Sequence, residues 1–172
     1  MIIRYIAFIF FLFALVDCKN NPEKTSKAFR PGKNEMADMN RFLLQKDRER
    51  VQNYIERKNL KMMESPTGLW YQIIKEGTGD TFIDNDKIIM NFECSLLDGT
   101  KCYSSEKLGP KEVILGRSEL EPGLNEGLRM LKPGAEAILI IPPYLGYGLI
   151  GDRKMIPSRA IIVYKVNILH AQ

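Results

Sequence analysis

One alternating stretch, residues 87–97, constrains the fold of this chain more than any other feature. Every second position on one face of it is apolar: Ile88, Met90, Phe92, Cys94 and Leu96. A period of two is typical of a half-buried β-strand. The Asp98-Gly99 pair that follows is a strong signal for a tight hairpin turn. The stretch therefore predicts an antiparallel sheet rather than a helical bundle.

The rest of residues 67–172 supplies further short strands and one helix. Strands are predicted at 68–75, 135–141 and 160–169, separated by turn residues. The helix candidate is 122–131, where Leu124, Leu128 and Leu131 recur at helical spacing before Lys132-Pro133-Gly134 ends it. The predicted fold class is α+β, an antiparallel sheet wrapped around one short α-helix.

The first seventeen residues are typical of an export signal. Arg4 precedes an uncharged apolar run, residues 5–16, which is shorter than the roughly 20 residues that a membrane-spanning helix needs. Cys18 lies where bacterial lipoprotein signals, which this segment resembles, place the lipidated residue. This resemblance implies a lipoprotein of the bacterial cell envelope that faces the periplasm, with the outer membrane as the default location. Ordinary cleaved secretion and an uncleaved short anchor are the alternatives.

A flexible tether (18–34) and a basic helical arm (35–66) are predicted between the signal and the domain at 67–172. Residues 18–66 hold 12 Lys or Arg against 7 Asp or Glu, so the excess positive charge of the chain lies there. On an exported protein, this excess favours anionic lipid or an acidic partner, and we expect no nucleic-acid partner. Leu44, Val51, Ile55 and Met62 form one thin apolar stripe. Three alternatives are open for the arm: a solvated spacer, a helix that packs on its own domain, and a helix that forms a homodimer through residues 35–63.

The few cysteines and the single histidine restrict the chemistry that is available. His170 alone argues against a metal site built on imidazole. With a two-residue turn at Asp98-Gly99, Cys94 faces Tyr103 and Cys102 faces Ser95, so the two cysteines point to opposite faces of the sheet. The sequence therefore disfavours a disulfide between Cys94 and Cys102.

Four segments together resemble a known family. They are TGLWYQIIKEGTGD, LLDGTKCYSS, GLNEGLRMLKPGAEAILIIPPYLGYG and MIPSRAIIVYKVNIL, and they span 67–169. In this order they resemble the FK506-binding-protein class of peptidyl-prolyl cis-trans isomerases. The signal and the charged arm are most similar to its gliding-motility-associated lipoprotein subgroup. The resemblance implies a bent sheet, an apolar pocket that binds X-Pro segments of client polypeptides, and a noncovalent reaction that needs no cofactor or metal.

The resemblance also assigns site residues. Tyr147 matches the family tyrosine whose hydroxyl donates a hydrogen bond to the substrate carbonyl, so it is the expected catalytic residue. The other substrate-binding residues that the resemblance implies are Phe92, Cys102, Tyr103, Leu120, Leu124, Ile156 and Tyr164.

Several of these positions depart from the family pattern. Cys102-Tyr103 stands where the family has phenylalanine and aspartate, and Leu124 stands where a tryptophan usually forms the pocket floor. The lost carboxylate removes an acceptor that helps to organise the pocket, so the departures predict weak macrolide binding and reduced isomerase activity. The alternatives are a weakly catalytic proline-binding or chaperone module and a structural lipoprotein of a motility or secretion assembly.

Overall fold

The structure, a computed structural model, describes residues 32–117 and 120–171. The predicted signal, Cys18 and most of the predicted tether lie outside these residues. The segment Ala37–Gln172 forms one compact unit, which contains the whole sheet. Within the described ranges, every helix is too short or too polar to cross a bilayer.

The sheet is antiparallel, as the alternating stretch predicted, and has seven strands within the described residues. The strands are β1 (Met63–Glu64), β2 (Trp70–Lys75), β3 (Lys87–Leu96), β4 (Lys101–Ser104), β5 (Lys111–Ile114), β6 (Glu136–Ile141) and β7 (Ile162–Ala171). Their order in the sheet is β1-β2-β6-β7-β3-β4, with β5 also paired to β3. The helices are α1 (Lys33–Lys58), α2 (Ser105–Leu108) and α3 (Pro122–Arg129), and a 3-10 turn covers Pro143–Leu145.

The main core lies between α3 and one face of the sheet. Ile88, Met90 and Cys94 of β3 are fully buried there, as their alternation predicted. Leu124, Leu128 and Leu131 are buried against the same core, which confirms the apolar face of the predicted helix. Gly127 lets α3 approach the sheet closely, because a Cβ atom at this position would lie 2.5 Å from Cδ1 of Leu139.

Helix α1 packs on the opposite face of its own sheet. Val51 is 1% exposed and shares a second apolar cluster with Ile140, Ile161 and Val163. Tyr54, Ile55 and Met62 pack against this cluster, whereas Leu44 is exposed. Of the three alternatives for the arm, the C-terminal half of α1 therefore supports packing on its own domain.

The arm ends earlier than predicted, at Lys58 instead of residue 66. Asn59 adopts a left-handed conformation with φ 50°. The Asn59 N–H donates to the Glu56 carbonyl, and the Leu60 N–H donates to the Ile55 carbonyl. This pattern is a Schellman motif, which closes a helix C-terminus and which Asn tolerates because its side chain permits a left-handed residue.

The hairpin after β3 is wider than a two-residue turn. The Leu96 N–H donates to the Thr100 carbonyl, and the ladder shifts register between Cys94 and Ser95. Cys94 faces Tyr103 as predicted, but Ser95 faces Lys101, so the prediction that Ser95 faces Cys102 is wrong. Cys102 is the extra residue of a β-bulge, and both cysteines are free thiols.

Candidate functional site

All eight predicted site residues lie in or against the main core. Phe92, Leu124, Ile156 and Tyr164 are buried members of that cluster, and the other four pack against it partly exposed: Cys102, Tyr103, Leu120 and Tyr147. They come from β3, β4, β7, α3 and the residues just before it, and the segment between β6 and β7. The fold therefore brings together residues that are up to 72 positions apart along the chain, from Phe92 to Tyr164.

Two aromatic rings and a leucine form the apolar floor. Phe92 and Tyr164 lie on the adjacent strands β3 and β7, with ring centroids 6.2 Å apart and a tilt of 40° between the rings. Leu124, where the family has tryptophan, is fully buried. The Phe92 ring also lies under a cation, because Nζ of Lys111 is 5.9 Å from its centroid.

A buried carboxylate lies at the site, and the sequence did not predict it. Glu121 is 7% exposed and is the N-cap residue of α3. Its Oε1 atom accepts the hydroxyl hydrogens of both Tyr147 and Tyr164, the latter at 3.0 Å. Its Oε2 atom is also buried and has no hydrogen-bond partner among the described residues. The hydroxyl of Tyr147, expected to point to a substrate carbonyl, is therefore engaged by Glu121 in this structure.

The hydroxyls of Tyr147 and Tyr164 remain protonated and act as hydrogen-bond donors. Burial, followed by the hydrogen bond to Glu121, raises the pKa of Tyr147 above its usual range. Burial, followed by the charge of Glu121, raises the pKa of Tyr164 in the same way. Both groups can therefore donate hydrogen bonds, and neither serves as a base near neutral pH.

A second carboxylate organises the opposite side of the site. The Tyr103 hydroxyl donates to Oδ2 of Asp152, and the backbone N–H groups of Lys154 and Ile156 each donate to Oδ1 at 2.8 Å. These hydrogen bonds lower the pKa of Asp152 even though burial acts in the opposite direction. The expectation that the site lacks an organising carboxylate is therefore wrong, because Asp152 supplies one from a different segment.

The segment after Tyr147 is folded tightly around Ile156. The Asp152 N–H donates to the Ile156 carbonyl, and Gly151 has φ 72°. A Cβ atom on Gly151 would lie 2.2 Å from that carbonyl oxygen. Only glycine fits here, and the tight turn holds the Ile156 side chain in the apolar wall, 2% exposed.

The two cysteines of the site are poor nucleophiles. Burial raises the pKa of the Cys94 thiol to about 12, and burial also raises the pKa of Cys102. The Sγ atom of Cys102 is 3.6 Å from the Met155 carbonyl oxygen, at the rim. Both thiols stay protonated near neutral pH, so the site offers shape and hydrogen bonds rather than covalent chemistry.

An apolar groove of about 600 Å³ borders the same loop on its outer side. Leu43 and Leu44 of α1 form one wall, and Tyr144 and Leu149 form the other. Below it, Arg159 donates to the buried carboxylate of Asp47 at 2.8 Å, and the Arg159 N–H donates to the Gly148 carbonyl. This ion pair joins α1 to the segment that carries Tyr147.

Comparison with known proteins agrees with this architecture. Residues 79–169 match the family described as FKBP-type peptidyl-prolyl cis-trans isomerase. The chain is 32% identical over 124 residues to the FKBP-type peptidyl-prolyl cis-trans isomerase FkpA of Escherichia coli K12, which covers 72% of this chain and 44% of FkpA. It is 29% identical over 106 residues to the peptidyl-prolyl cis-trans isomerase Mip of Chlamydia trachomatis, covering 62% of this chain and 42% of Mip. The chain thus spans less than half the length of these relatives.

Solved structures show the same fold. The crystal structure of FkpA from Escherichia coli superposes with a TM-score of 0.66 at 24% identity, covering 98% of this chain and 81% of that one. The structure of AtFKBP13 superposes with a TM-score of 0.61 at 22% identity, covering 65% of this chain and 99% of that one. Because residues 79–169, more than half of the chain, match the family, the chain belongs to the FKBP-type peptidyl-prolyl cis-trans isomerase family.

Proposed function

We propose that this protein catalyses the cis-trans isomerisation of X-Pro bonds in polypeptides. The observation that carries the proposal is the buried apolar cluster that contains Phe92, Leu124, Ile156 and Tyr164, with Tyr147 packed against it and partly exposed. Rotation about a peptide bond faces a barrier of about 18–20 kcal/mol, which arises from amide resonance. The reaction makes no covalent bond, so a pocket that favours the twisted amide is sufficient.

The residues divide this task between them. Phe92, Leu124 and Ile156 surround the prolyl ring and exclude water, which disfavours the charge-separated planar amide. The Tyr147 hydroxyl donates to the carbonyl next to the proline and fixes its position while the amide rotates. Asp152 acts indirectly, because it holds the backbone N–H of Ile156 and so places that side chain in the wall.

We further propose that the protein is exported and anchored to a membrane of the bacterial envelope through lipidated Cys18, where it assists the folding of envelope proteins. The sequence of residues 1–18 supports this, as does the slow rate of uncatalysed prolyl isomerisation, tens to hundreds of seconds. The same proposal includes membership of the gliding-motility-associated subgroup. It also includes a homodimer that forms through residues 35–63. The exposed side chains of Met39 and Phe42 support the homodimer, because they leave an apolar surface on α1.

Two assays on protein that lacks residues 1–31 test the enzyme function. One is a protease-coupled assay with a short X-Pro peptide, and the other is the refolding of a protein limited by prolyl isomerisation. We expect both rates to rise with protein concentration. Tyr147→Phe should lower kcat/KM by about threefold to tenfold, since a hydrogen bond to a neutral group contributes about 0.5–1.5 kcal/mol. Rates that stay at the uncatalysed value with micromolar protein would contradict the proposal.

A second candidate function is a proline-segment binding or chaperone module with weak catalysis. The engagement of Tyr147 by Glu121 favours it, because the hydroxyl is not free for a substrate. The apolar groove beside the same loop offers further surface for an unfolded chain. Suppression of aggregation by a protein that leaves both isomerisation rates unchanged would select this candidate over the enzyme.

A further inference from the structure

We propose that Glu121 is a positioning residue that competes with the substrate for the hydroxyl hydrogen of Tyr147, and so sets how tightly the pocket holds an X-Pro segment. This inference rests on the proposed function, since the ligand is a prolyl peptide. It concerns a residue outside the set that the sequence predicted. It also makes the strength of prolyl binding depend on the two hydroxyl groups that donate to Glu121, those of Tyr147 and Tyr164.

The competition follows from the hydrogen-bonding capacity of a phenol. A tyrosine hydroxyl has one hydrogen to donate. In this structure Tyr147 donates that hydrogen to Oε1 of Glu121. A substrate carbonyl is an acceptor, so it receives a hydrogen bond from Tyr147 only if the hydrogen leaves Glu121.

The charge of the acceptor makes the competition costly for the substrate. Hydrogen bonds to an ionised carboxylate are roughly twice as strong as those between neutral groups. Glu121 is 7% exposed, so water does not readily replace a donor that it loses. Its Oε2 atom has no partner within residues 32–117 and 120–171, so among these residues the hydrogen bonds of the carboxylate come from the two hydroxyls at Oε1.

Tyr164 determines how many hydrogen bonds Glu121 keeps when the Tyr147 hydroxyl donates to a substrate instead. Its hydroxyl donates to the same Oε1 atom at 3.0 Å, and the residue is 1% exposed, so it remains with Glu121. With Tyr164 present, one hydroxyl donor is kept. Without it, Tyr147 would be the last hydroxyl donor to Glu121 among the contacts of the described residues, and would be harder to release.

The position of Glu121 fits a role inside the pocket. It is the N-cap residue of α3, yet its side chain makes no capping hydrogen bond to that helix. Pro122 directly follows it and starts the helix. The side chain is instead buried, with its Oε1 atom at the hydroxyls of Tyr147 and Tyr164.

Two substitutions in the pocket should then act in opposite directions. Glu121→Gln keeps the shape and an acceptor oxygen but removes the charge, so a prolyl peptide should bind about fivefold to tenfold more tightly and kcat/KM should rise equally. Tyr164→Phe removes the second donor, so binding and kcat/KM should fall by about threefold. A merely structural role would lower both quantities in both variants.

The test is titration of a short X-Pro peptide into each variant, together with the protease-coupled assay. Tyr147→Phe is the control background, in which Glu121→Gln should change the affinity by less than twofold. The inference is overturned if Glu121→Gln lowers the affinity for the peptide. It is also overturned if Glu121→Gln raises the affinity equally in the Tyr147→Phe background. Both results count even if the protein proves to be active. If Glu121→Gln raises the affinity and Tyr164→Phe lowers it, but no variant catalyses isomerisation, the inference is supported and the enzyme proposal fails.

Discussion

Replacing Val51 by alanine tests whether the arm is an integral part of the domain. Val51 is 1% exposed, between α1 and the sheet. The substitution removes two buried methyl groups, each worth about 0.8 kcal/mol, and leaves a small cavity among Ile140, Ile161 and Val163. We expect the free energy of unfolding to fall by about 2 kcal/mol.

Urea denaturation followed by circular dichroism measures this change. With a urea dependence of about 2 kcal/mol per molar, the midpoint should fall by about 1 M. Leu44→Ala is the matched control, because Leu44 lies on the same helix but is 47% exposed, and it should change the free energy by less than about 0.5 kcal/mol. If Val51→Ala has the midpoint of the unsubstituted protein, α1 does not pack on the sheet in solution.

Four further predictions concern the site and the core behind it. Cys94 should resist alkylation at about pH 8 in the folded protein but not in denaturant, as read by peptide mass spectrometry, and modification of the folded protein would contradict its burial. Because its pKa rises from 9.0 to about 12 on folding, the unfolded chain loses this proton first, and Cys94 should make urea stability fall as pH rises through that window. Gly151→Ala should lower kcat/KM and the melting temperature, since its Cβ would clash with the Ile156 carbonyl; unchanged values of both would show that the loop adapts. Asp152→Ala should lower kcat/KM by about tenfold by releasing three hydrogen bonds, and unchanged kinetics would show that Ile156 is held without it.

The sheet and the short helix could be predicted because their signals are local. The alternation in β3 and the leucine spacing in α3 each mark the face of one element that packs against the core. The structure confirmed that both faces are buried. The end of α1 was missed because residues 59–65 contain no glycine and the proline comes only at 66. Asn59 was the available signal, since asparagine is the usual substitute for glycine in a left-handed cap.

The polar part of the site could not be predicted in the same way. Glu121 precedes a proline at the start of a helix, which in sequence resembles an ordinary exposed N-terminal acid. Asp152 stands before two basic residues in a loop, and only the fold brings it to Tyr103, 49 positions away. Such contacts depend on the register of several strands, and the bulge at Cys102 shows that a single residue changes that register.

We expect the site around Tyr147 to accelerate X-Pro rotation, and NMR exchange spectroscopy measures that rotation in the peptide itself. A peptide with one X-Pro bond gives separate cis and trans signals, because uncatalysed exchange takes tens to hundreds of seconds. With substoichiometric protein we predict exchange cross-peaks that grow with protein concentration and weaken in Tyr147→Phe. Peptide that binds the protein while its cis and trans signals exchange at the uncatalysed rate would show that the protein is not a prolyl isomerase.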